Sequence, residues 1–146
     1  MSETAELPLV RGRQELKAAE ALLEAGFPAQ AVSHAYLAGF HAASAALALL
    51  GEAPATSAGV ISAFGRHLVG DNGIDHETAR VLRRLYEDRN DIENGLADAP
   101  PEEARGALAD ASRFVEATAS WIGRHGERVA DDALSHATDV DRDMRT

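Results

Sequence analysis

The sequence predicts an all-α protein, an up-and-down bundle of four to five helices within one domain. Ala, Leu and Glu are abundant and aromatic residues make up only 5% of the 146 residues, a composition typical of helices. No segment alternates apolar and polar residues with the period of two that marks a half-buried strand. Glycine and proline divide the chain into segments of helical length, and the length fits one domain.

The first two helices form a predicted hairpin that is bounded by glycine residues. We expect the first helix over about Leu9–Ala25, because leucine and alanine recur there at helical spacing until Gly26 stops it. The second is expected over Pro28–Leu50, since proline suits the first turn of a helix, and Gly51 ends it.

The third and fourth helices are bounded by capping residues and a turn. Ser57 is the expected N-cap of a short third helix over Ala58–Val69. A strong turn signal follows at Gly70–Gly73, and the fourth helix is expected from its cap at Asp75 to about Ala97.

The fifth helix ends the predicted domain. Asp98–Glu103 offers a cap, early prolines and first-turn acids that suit the helix dipole, and the helix is expected to continue to about Arg124. After Gly126 the chain is polar, acidic and weakly patterned, so we expect a frayed turn or two around Val129–Ser135 and then disorder. The predicted organisation is a helical domain over residues 1–126 and a flexible tail over residues 127–146.

The charge balance argues against a large nucleic-acid-binding face. Fourteen Lys and Arg residues stand against 24 Asp and Glu residues, which gives a formal net charge of −10. The chain as a whole lacks the excess of Lys and Arg residues that contacts with many phosphate groups require, so any nucleic-acid role requires a local site or a partner. An acidic surface that keeps the protein in solution explains the same charge.

Three further observations bear on the protein's compartment. The chain has no cysteine, which excludes disulfides and thiolate metal sites. The low-charge stretch Phe27–Gly51 contains His34 and His41 and is mostly alanine, so we interpret it as a bundle helix and not a membrane span. The N-terminus has no long apolar run typical of a signal peptide, and we expect a cytoplasmic protein.

One shoulder of the fourth helix carries a candidate site. At 100° per residue, Arg89, Glu93 and Tyr86 lie beside the predicted core stripe and not on the outer face. A half-buried charged group is less screened by water, which strengthens its interactions. An ordinary i,i+4 ion pair is the alternative, although the order Arg then Glu is the weaker orientation. The predicted core stripe consists of Val81, Leu85, Ile92 and Leu96.

The two histidines of the second helix share a face with alanine residues. His34 and His41 are seven residues apart, roughly 10.5 Å along the axis, so they cannot chelate one metal without further ligands. A buried or interfacial histidine and an acid–base role both remain open. An alanine-rich face lets a neighbouring helix approach closely, either from this chain or from a second copy.

The sequence lacks other motifs that indicate a particular catalytic or ligand-binding chemistry. It has no phosphate-binding Gly-rich loop and no nucleophile elbow around serine, and we expect neither a metal nor a cofactor. Positive charge is concentrated in one local cluster, which we interpret either as a solvated helix face or as a contact with phosphate. It consists of Arg80, Arg83, Arg84 and Arg89.

Several short segments of the chain have a distinctive order and spacing. They are Ala21–Leu23, Gly26–Phe27, Ala31–Tyr36, Phe40–Ala43, Ala45, Gly51, Pro54, Thr56–Val60, Phe64, Leu85–Asn94, Glu102–Glu103 and Ala111–Val115. Together they resemble short prokaryotic proteins of the HEPN family (higher eukaryotes and prokaryotes nucleotide-binding helical bundles), and the resemblance covers roughly residues 15 to 122.

The resemblance implies a dimeric protein with a site around Arg89. Ribonuclease members of the family carry an Arg, often followed by Asn, and a His four to six residues later. They are metal-independent RNA endonucleases, often toxins paired with a nucleotidyltransferase-type antitoxin, and two copies of the motif meet in one cleft. Here Arg89 and Asn90 match, but Asn94 stands at the His position. The segment also resembles the family form Arg-x-x-Ala-Asp-Tyr, with Glu93 for Asp.

Three functional hypotheses follow from these residues. The first is a homodimeric module that binds nucleotide, RNA or a partner protein around Arg89 without cleavage, in a toxin–antitoxin or defence-type system. Its binding candidates are Arg89, Asn90, Asn94, Tyr86, His34 and His41. The second is a metal-independent RNA endonuclease in which Arg89 binds phosphate and Glu93, His34 or His41 carries a proton. The third is a structural or oligomerisation bundle without a site.

Overall fold

A computed structural model describes residues 3–71 and 73–144, with side chains described over residues 5–71 and 73–126. It confirms the all-α prediction, since five helices and no strand occur among these residues. Gly70 and Ile74 close the connection between the third and fourth helices through a backbone hydrogen bond. The helices are α1 (Glu3–Glu24), α2 (Pro28–Leu49), α3 (Ser57–Leu68), α4 (His76–Glu93) and α5 (Pro101–Met144).

Helix α2 lies at the centre of the bundle and packs against the other four helices. Its residues Tyr36 and Leu47 are fully buried together with Phe64 of α3 and Phe114 of α5. The rings of Phe64 and Phe114 are 5.1 Å apart, which joins α3 to α5 across the core. The buried apolar surface of these side chains is the main stabilising contribution to the fold.

The alanine-rich face of α2 packs against α1 of the same chain. Ala38, Ala42 and Ala45 are fully buried. A Cβ atom built on Gly12 of α1 would lie 3.0 Å from the Ala38 carbonyl oxygen, so the two helix backbones approach very closely. The neighbour expected from the sequence is therefore a helix of this chain, and this face offers no support for a dimer.

Two helix starts differ from the sequence-based expectation. Helix α1 begins at Glu3 and not at Leu9, and it contains Pro8. The buried side chains of Ala5 and Leu9 explain the difference, because their packing outweighs the hydrogen bond that a proline removes. Helix α3 is capped by Thr56 and not by Ser57, since the Thr56 hydroxyl accepts from the Gly59 amide.

The end of α4 also differs, and this changes the predicted core stripe. The helix ends at Glu93 instead of Ala97, because Gly95 adopts a φ of +71° that favours glycine and terminates the helix. Leu96 is consequently 77% exposed, so its assignment to the core was wrong. Val81 and Leu85 are buried as expected, and Ile92 is partly buried against the core.

Helix α5 continues to Met144, beyond the expected end near Arg124. The segment after Gly126 contains no proline, and an isolated glycine costs only about 1 kcal/mol in a helix interior, so Gly126 does not stop the helix. The division into a domain over residues 1–126 and a tail over residues 127–146 stays a prediction. In the described part of the chain, no helix is long and apolar enough to cross a membrane.

Candidate functional site

Arg89 lies on the shoulder of α4, where its guanidinium is held from two sides. Its Nε donates a hydrogen bond of 3.0 Å to the Glu93 Oε1 atom. Its Cζ atom lies 5.0 Å from the centroid of the Tyr36 ring, within cation–π distance. The Arg89 side chain is 28% exposed, which confirms the half-buried position that the helical angles predict.

The ring of Tyr36 beneath Arg89 packs against two further aromatic rings. Tyr36 is buried, and its ring lies 5.8 Å from Tyr86 of α4 and 6.0 Å from Phe40 of α2. These contacts require that α2 and α4 run antiparallel. The same orientation places Gly39 of α2 against Leu82 and Leu85 of α4. Spacing along the chain does not predict the contact of Tyr36 with Arg89, because that contact joins two separate helices.

The hydroxyl group of Tyr36 is buried without a hydrogen-bond partner among the described residues. Burial raises the pKa of Tyr36, while Ser57 and Arg89 lie near enough to lower it partially. Neither neighbour meets hydrogen-bond geometry with the hydroxyl oxygen. Tyr36 therefore acts on Arg89 through its ring and not through its hydroxyl group.

A groove of about 410 Å³ opens between α2 and α4 next to Glu93, the partner of Arg89, although Arg89 itself is not among its lining residues. His34 and Ser33 line it from α2, and Glu93, which binds Arg89, lines it from α4. The remaining lining residues are Ala29, Gln30 and Ile92. Two of the predicted site residues, Glu93 and His34, thus share one groove next to Arg89, and we name it the Arg89 groove.

His34 is held by a carboxylate from the neighbouring helix. Its Nδ1 atom lies 2.6 Å from Oε2 of Glu15 on α1. The His34 and Glu15 side chains are 37% and 27% exposed, so both keep contact with solvent. The sequence analysis missed Glu15, since a pair 19 positions apart on two helices has no local sequence signal.

The other predicted residues lie at different distances from this groove. His41 faces α1, where burial lowers its pKa, and its ring meets the edge of Phe40 at 5.8 Å. It does not line the groove. Asn90 is half-buried on α4, whereas Asn94 is exposed and caps the helix through its backbone. The roles of these three residues in binding stay predictions.

The opposite side of α4 is acidic. Asp88, Asp91, Asp98 and Glu103 line a pocket of about 100 Å³ between α4 and α5. Burial and the neighbouring carboxylates, Asp91 foremost, raise the pKa of Asp88. No group of His, Asp and Glu in the described residues has the arrangement of a metal site. This side of α4 therefore repels anions, whereas the Arg89 side carries the cation.

The basic residues earlier on α4 lie on a second surface. Arg80 and Arg83 line a groove of about 180 Å³ against α3, together with His76. Arg84 instead lies 3.9 Å from Asp110 of α5. The basic cluster of the sequence is therefore divided over three surfaces, and only Arg89 combines a half-buried guanidinium with an aromatic ring beneath it.

Comparisons with known proteins identify the family. The model of the HEPN domain matches residues 5–121, which is most of the chain. The chain is also 40% identical over 76 residues to UPF0332 protein PH1297 of Pyrococcus horikoshii, an alignment that covers 52% of this chain and 54% of the relative. The chain thus spans about half the length of that curated relative. The resemblance inferred from the sequence is confirmed, and the chain belongs to the HEPN domain family.

Proposed function

We propose that this protein binds a phosphate-bearing ligand, RNA or a nucleotide, in the Arg89 groove. The observation that supports this most is the half-buried guanidinium of Arg89, which is bonded to Glu93 of the groove and supported by the ring of Tyr36. A HEPN domain suggests a nucleotide- or RNA-related function, and Arg89 supplies the chemistry that such a ligand requires.

The donors of Arg89 suit a phosphate group. A guanidinium carries five N–H donors in a rigid fork. Glu93 engages the one on Nε. Within the described residues, Glu93 is the acidic side chain that pairs with Arg89, which leaves the terminal amino groups for the oxygen atoms of a ligand. Glu93 itself orients the guanidinium.

The assembly that we propose is a homodimer within a toxin–antitoxin or defence-type system. HEPN domains commonly dimerise, and a second copy would bring a second Arg89 groove close to the first. The partner in such a system would be a nucleotidyltransferase-type protein. Because the chain has a net charge of −10, a partner or the second copy would also supply part of the contact with an extended RNA.

The test compares ligand binding by wild-type protein and Arg89→Ala. The probes are a fluorescent 2′-O-methyl oligoribonucleotide, which resists cleavage, and a fluorescent ATP analogue, each followed by anisotropy. We expect Arg89→Ala to weaken binding of the ligand on the order of tenfold or more, because a charged hydrogen bond to phosphate is lost.

Arg113→Ala is the matched control for this measurement. Arg113 also pairs with an acidic residue of its own helix, Asp110, but it lies on α5, and its partner does not line the Arg89 groove, whereas Glu93 does. Its variant should bind both probes as the wild type does. Equal binding by wild type and Arg89→Ala, or no binding of either probe by folded wild type, would contradict the proposal.

A further inference from the structure

The groove of about 180 Å³ between α3 and α4 shares no lining residue with the Arg89 groove. One wall comes from α3 and the other from the first turns of α4. Two backbone hydrogen bonds hold the connection between these helices, from the Gly70 amide to the Ile74 carbonyl and from the Ile74 amide to the Leu68 carbonyl. They limit the movement of the two walls relative to each other. We name this site the Arg83 groove.

The rim of the Arg83 groove is basic. His76, Arg80 and Arg83 line it from α4, and no Asp or Glu is among the described residues of its lining. Among the described side chains, Arg83 forms no ion pair, whereas Arg80 lies 3.8 Å from Glu77. The Arg80 and Glu77 side chains are 71% and 89% exposed, so water screens this pair strongly. Both guanidinium groups are therefore available to carboxylates of a ligand.

The floor of the Arg83 groove is apolar and aliphatic. Ile61 and Leu82 are buried, and Val69 and Ala79 extend the apolar lining. Gly65 of α3 also lines the groove, and a Cβ atom built there would meet no heavy atom within 4 Å. Because a cavity of roughly 150 Å³ holds a benzene ring, a groove of about 180 Å³ admits one large apolar side chain.

The lining favours a protein segment over a nucleic acid or a small molecule. Sites for single-stranded nucleic acid typically stack the bases on aromatic side chains, and the described lining of the Arg83 groove contains no Phe, Tyr or Trp. A small-molecule site buries roughly 70–90% of its ligand, whereas this groove is open to solvent. A peptide that inserts one side chain and stays exposed elsewhere matches both features.

The charge of the groove indicates what kind of segment fits. The chain has a net charge of −10, so most of its surface repels an acidic partner, and local positive charge determines where such a partner can approach. The rim of Arg80 and Arg83 supplies that charge directly beside the apolar floor. Charge complementarity of this kind selects the partner, while a buried apolar anchor contributes affinity.

From these observations we propose that the Arg83 groove binds an acidic segment of a partner protein. One large apolar side chain of the segment lies over Ile61 and Leu82, and carboxylates on either side of it pair with Arg80 and Arg83. This interaction goes beyond the proposed function, because it uses a separate surface and requires no ligand at Arg89.

The experiment selects peptides from a random display library with the wild-type protein as bait. A charge-reversal variant, Arg80→Glu with Arg83→Glu, removes by counter-selection the peptides that bind elsewhere. We expect the recovered peptides to carry Asp or Glu residues around one Leu, Ile, Met or Phe. Synthesised with a fluorescent label and followed by anisotropy, they should bind the charge-reversal variant with a Kd about tenfold higher or more, because two charged pairs become repulsive.

Gly65→Leu tests the groove without any change of charge. The leucine side chain takes up space that the apolar side chain of the peptide requires, so the Kd should again rise about tenfold or more. The fold should be kept, since Gly65 is exposed and leucine has the higher helix propensity.

Two control variants on α5 match these changes. Gly106→Leu places the same side chain at an exposed glycine where a Cβ atom would also meet no heavy atom within 4 Å. Arg105→Glu with Arg113→Glu changes the net charge as much as the charge-reversal variant does, at exposed positions outside the Arg83 groove. Both controls should bind the selected peptides with the Kd of the wild type.

Three results would overturn the proposal. The first is a selection that recovers no peptide whose Kd depends on the groove variants. The second is a set of groove-binding peptides without acidic residues. The third is displacement of the peptides by a 2′-O-methyl oligoribonucleotide whose own binding is lost in the charge-reversal variant, because the groove would then be a nucleic-acid site.

Discussion

Arg89 differs from an ordinary surface arginine through the ring beneath it. An exposed i,i+4 ion pair on a helix contributes only about 0.3–0.5 kcal/mol, so the contact with Glu93 alone would hold the guanidinium weakly. Tyr36 adds a cation–π contact at 5.0 Å from a buried and immobile ring, and such contacts contribute roughly 0.5–2 kcal/mol. Together they restrict the guanidinium to its place between Glu93 and Tyr36, which would reduce the ordering cost of the ligand binding that we propose.

The sequence predicts those features of this site that depend on a single helix, and it does not predict the contacts between helices. The angle of Arg89 around α4 follows from helical geometry, and its half-buried position is confirmed. The contacts of Tyr36 with Arg89 and of Glu15 with His34 depend on which helices become neighbours, so no spacing along the chain reveals them. The choice between His34 and His41 as the groove histidine was likewise open until α1 was seen to cover His41.

A substitution at Tyr36 tests the account of the supporting ring. Tyr36→Phe keeps the ring and removes a buried hydroxyl group that has no hydrogen-bond partner among the described residues. The free energy of unfolding should therefore stay the same or rise by about 1 kcal/mol, measured by urea denaturation, because the desolvation cost of the hydroxyl disappears. Tyr86→Phe, in a half-buried neighbour, should change it by less than about 0.5 kcal/mol. A loss of more than about 1 kcal/mol in Tyr36→Phe would show that the hydroxyl is hydrogen-bonded.

The α1–α2 hairpin determines where His34 and Glu15 meet. Glycine and proline predicted the ends of both helices around residues 24–28 correctly, because those signals act within a few residues. The same local rules failed at the end of α4, where Gly95 terminates the helix at Glu93, four residues before the expected end at Ala97. They also failed at the start of α1, where burial of Ala5 and Leu9 in the tertiary structure extends the helix.

The close contact within this hairpin gives a second stability prediction. A Cβ atom at Gly12 would lie 3.0 Å from the Ala38 carbonyl oxygen and 3.5 Å from the Ala42 amide nitrogen, which are backbone atoms. Gly12→Val should therefore lower the free energy of unfolding by about 1–3 kcal/mol, because the helices must move apart. Urea denaturation measures the change.

Gly106→Val provides the matched control for this substitution. Gly106 is exposed on α5, and a Cβ atom there would meet no heavy atom within 4 Å. Valine has a somewhat higher helix propensity than glycine, so this variant should be unchanged or slightly more stable. If Gly12→Val were as stable as Gly106→Val, the close approach of α1 and α2 would be incorrect.

Across the whole molecule, charged residues are distributed unequally over the two sides of α4. The pocket with Asp88, Asp91 and Glu103 faces α5, whereas the Arg89 groove faces α2, and Ile92 lines both. In a protein with a net charge of −10, we expect an anionic ligand to avoid the acidic pocket and to approach the Arg89 side of α4. Composition alone gave the total charge, but the fold determines which charges share a surface.

The measurement that tests this account most directly is photo-crosslinking of an RNA that contains 4-thiouridine, followed by mass spectrometry of the cross-linked peptides. The Arg89 groove predicts cross-links on α2 within residues 29–37 and on α4 within residues 86–93, and their loss in Arg89→Ala. Cross-links confined to the α3–α4 groove of His76, Arg80 and Arg83, and unchanged in Arg89→Ala, would contradict the central claim.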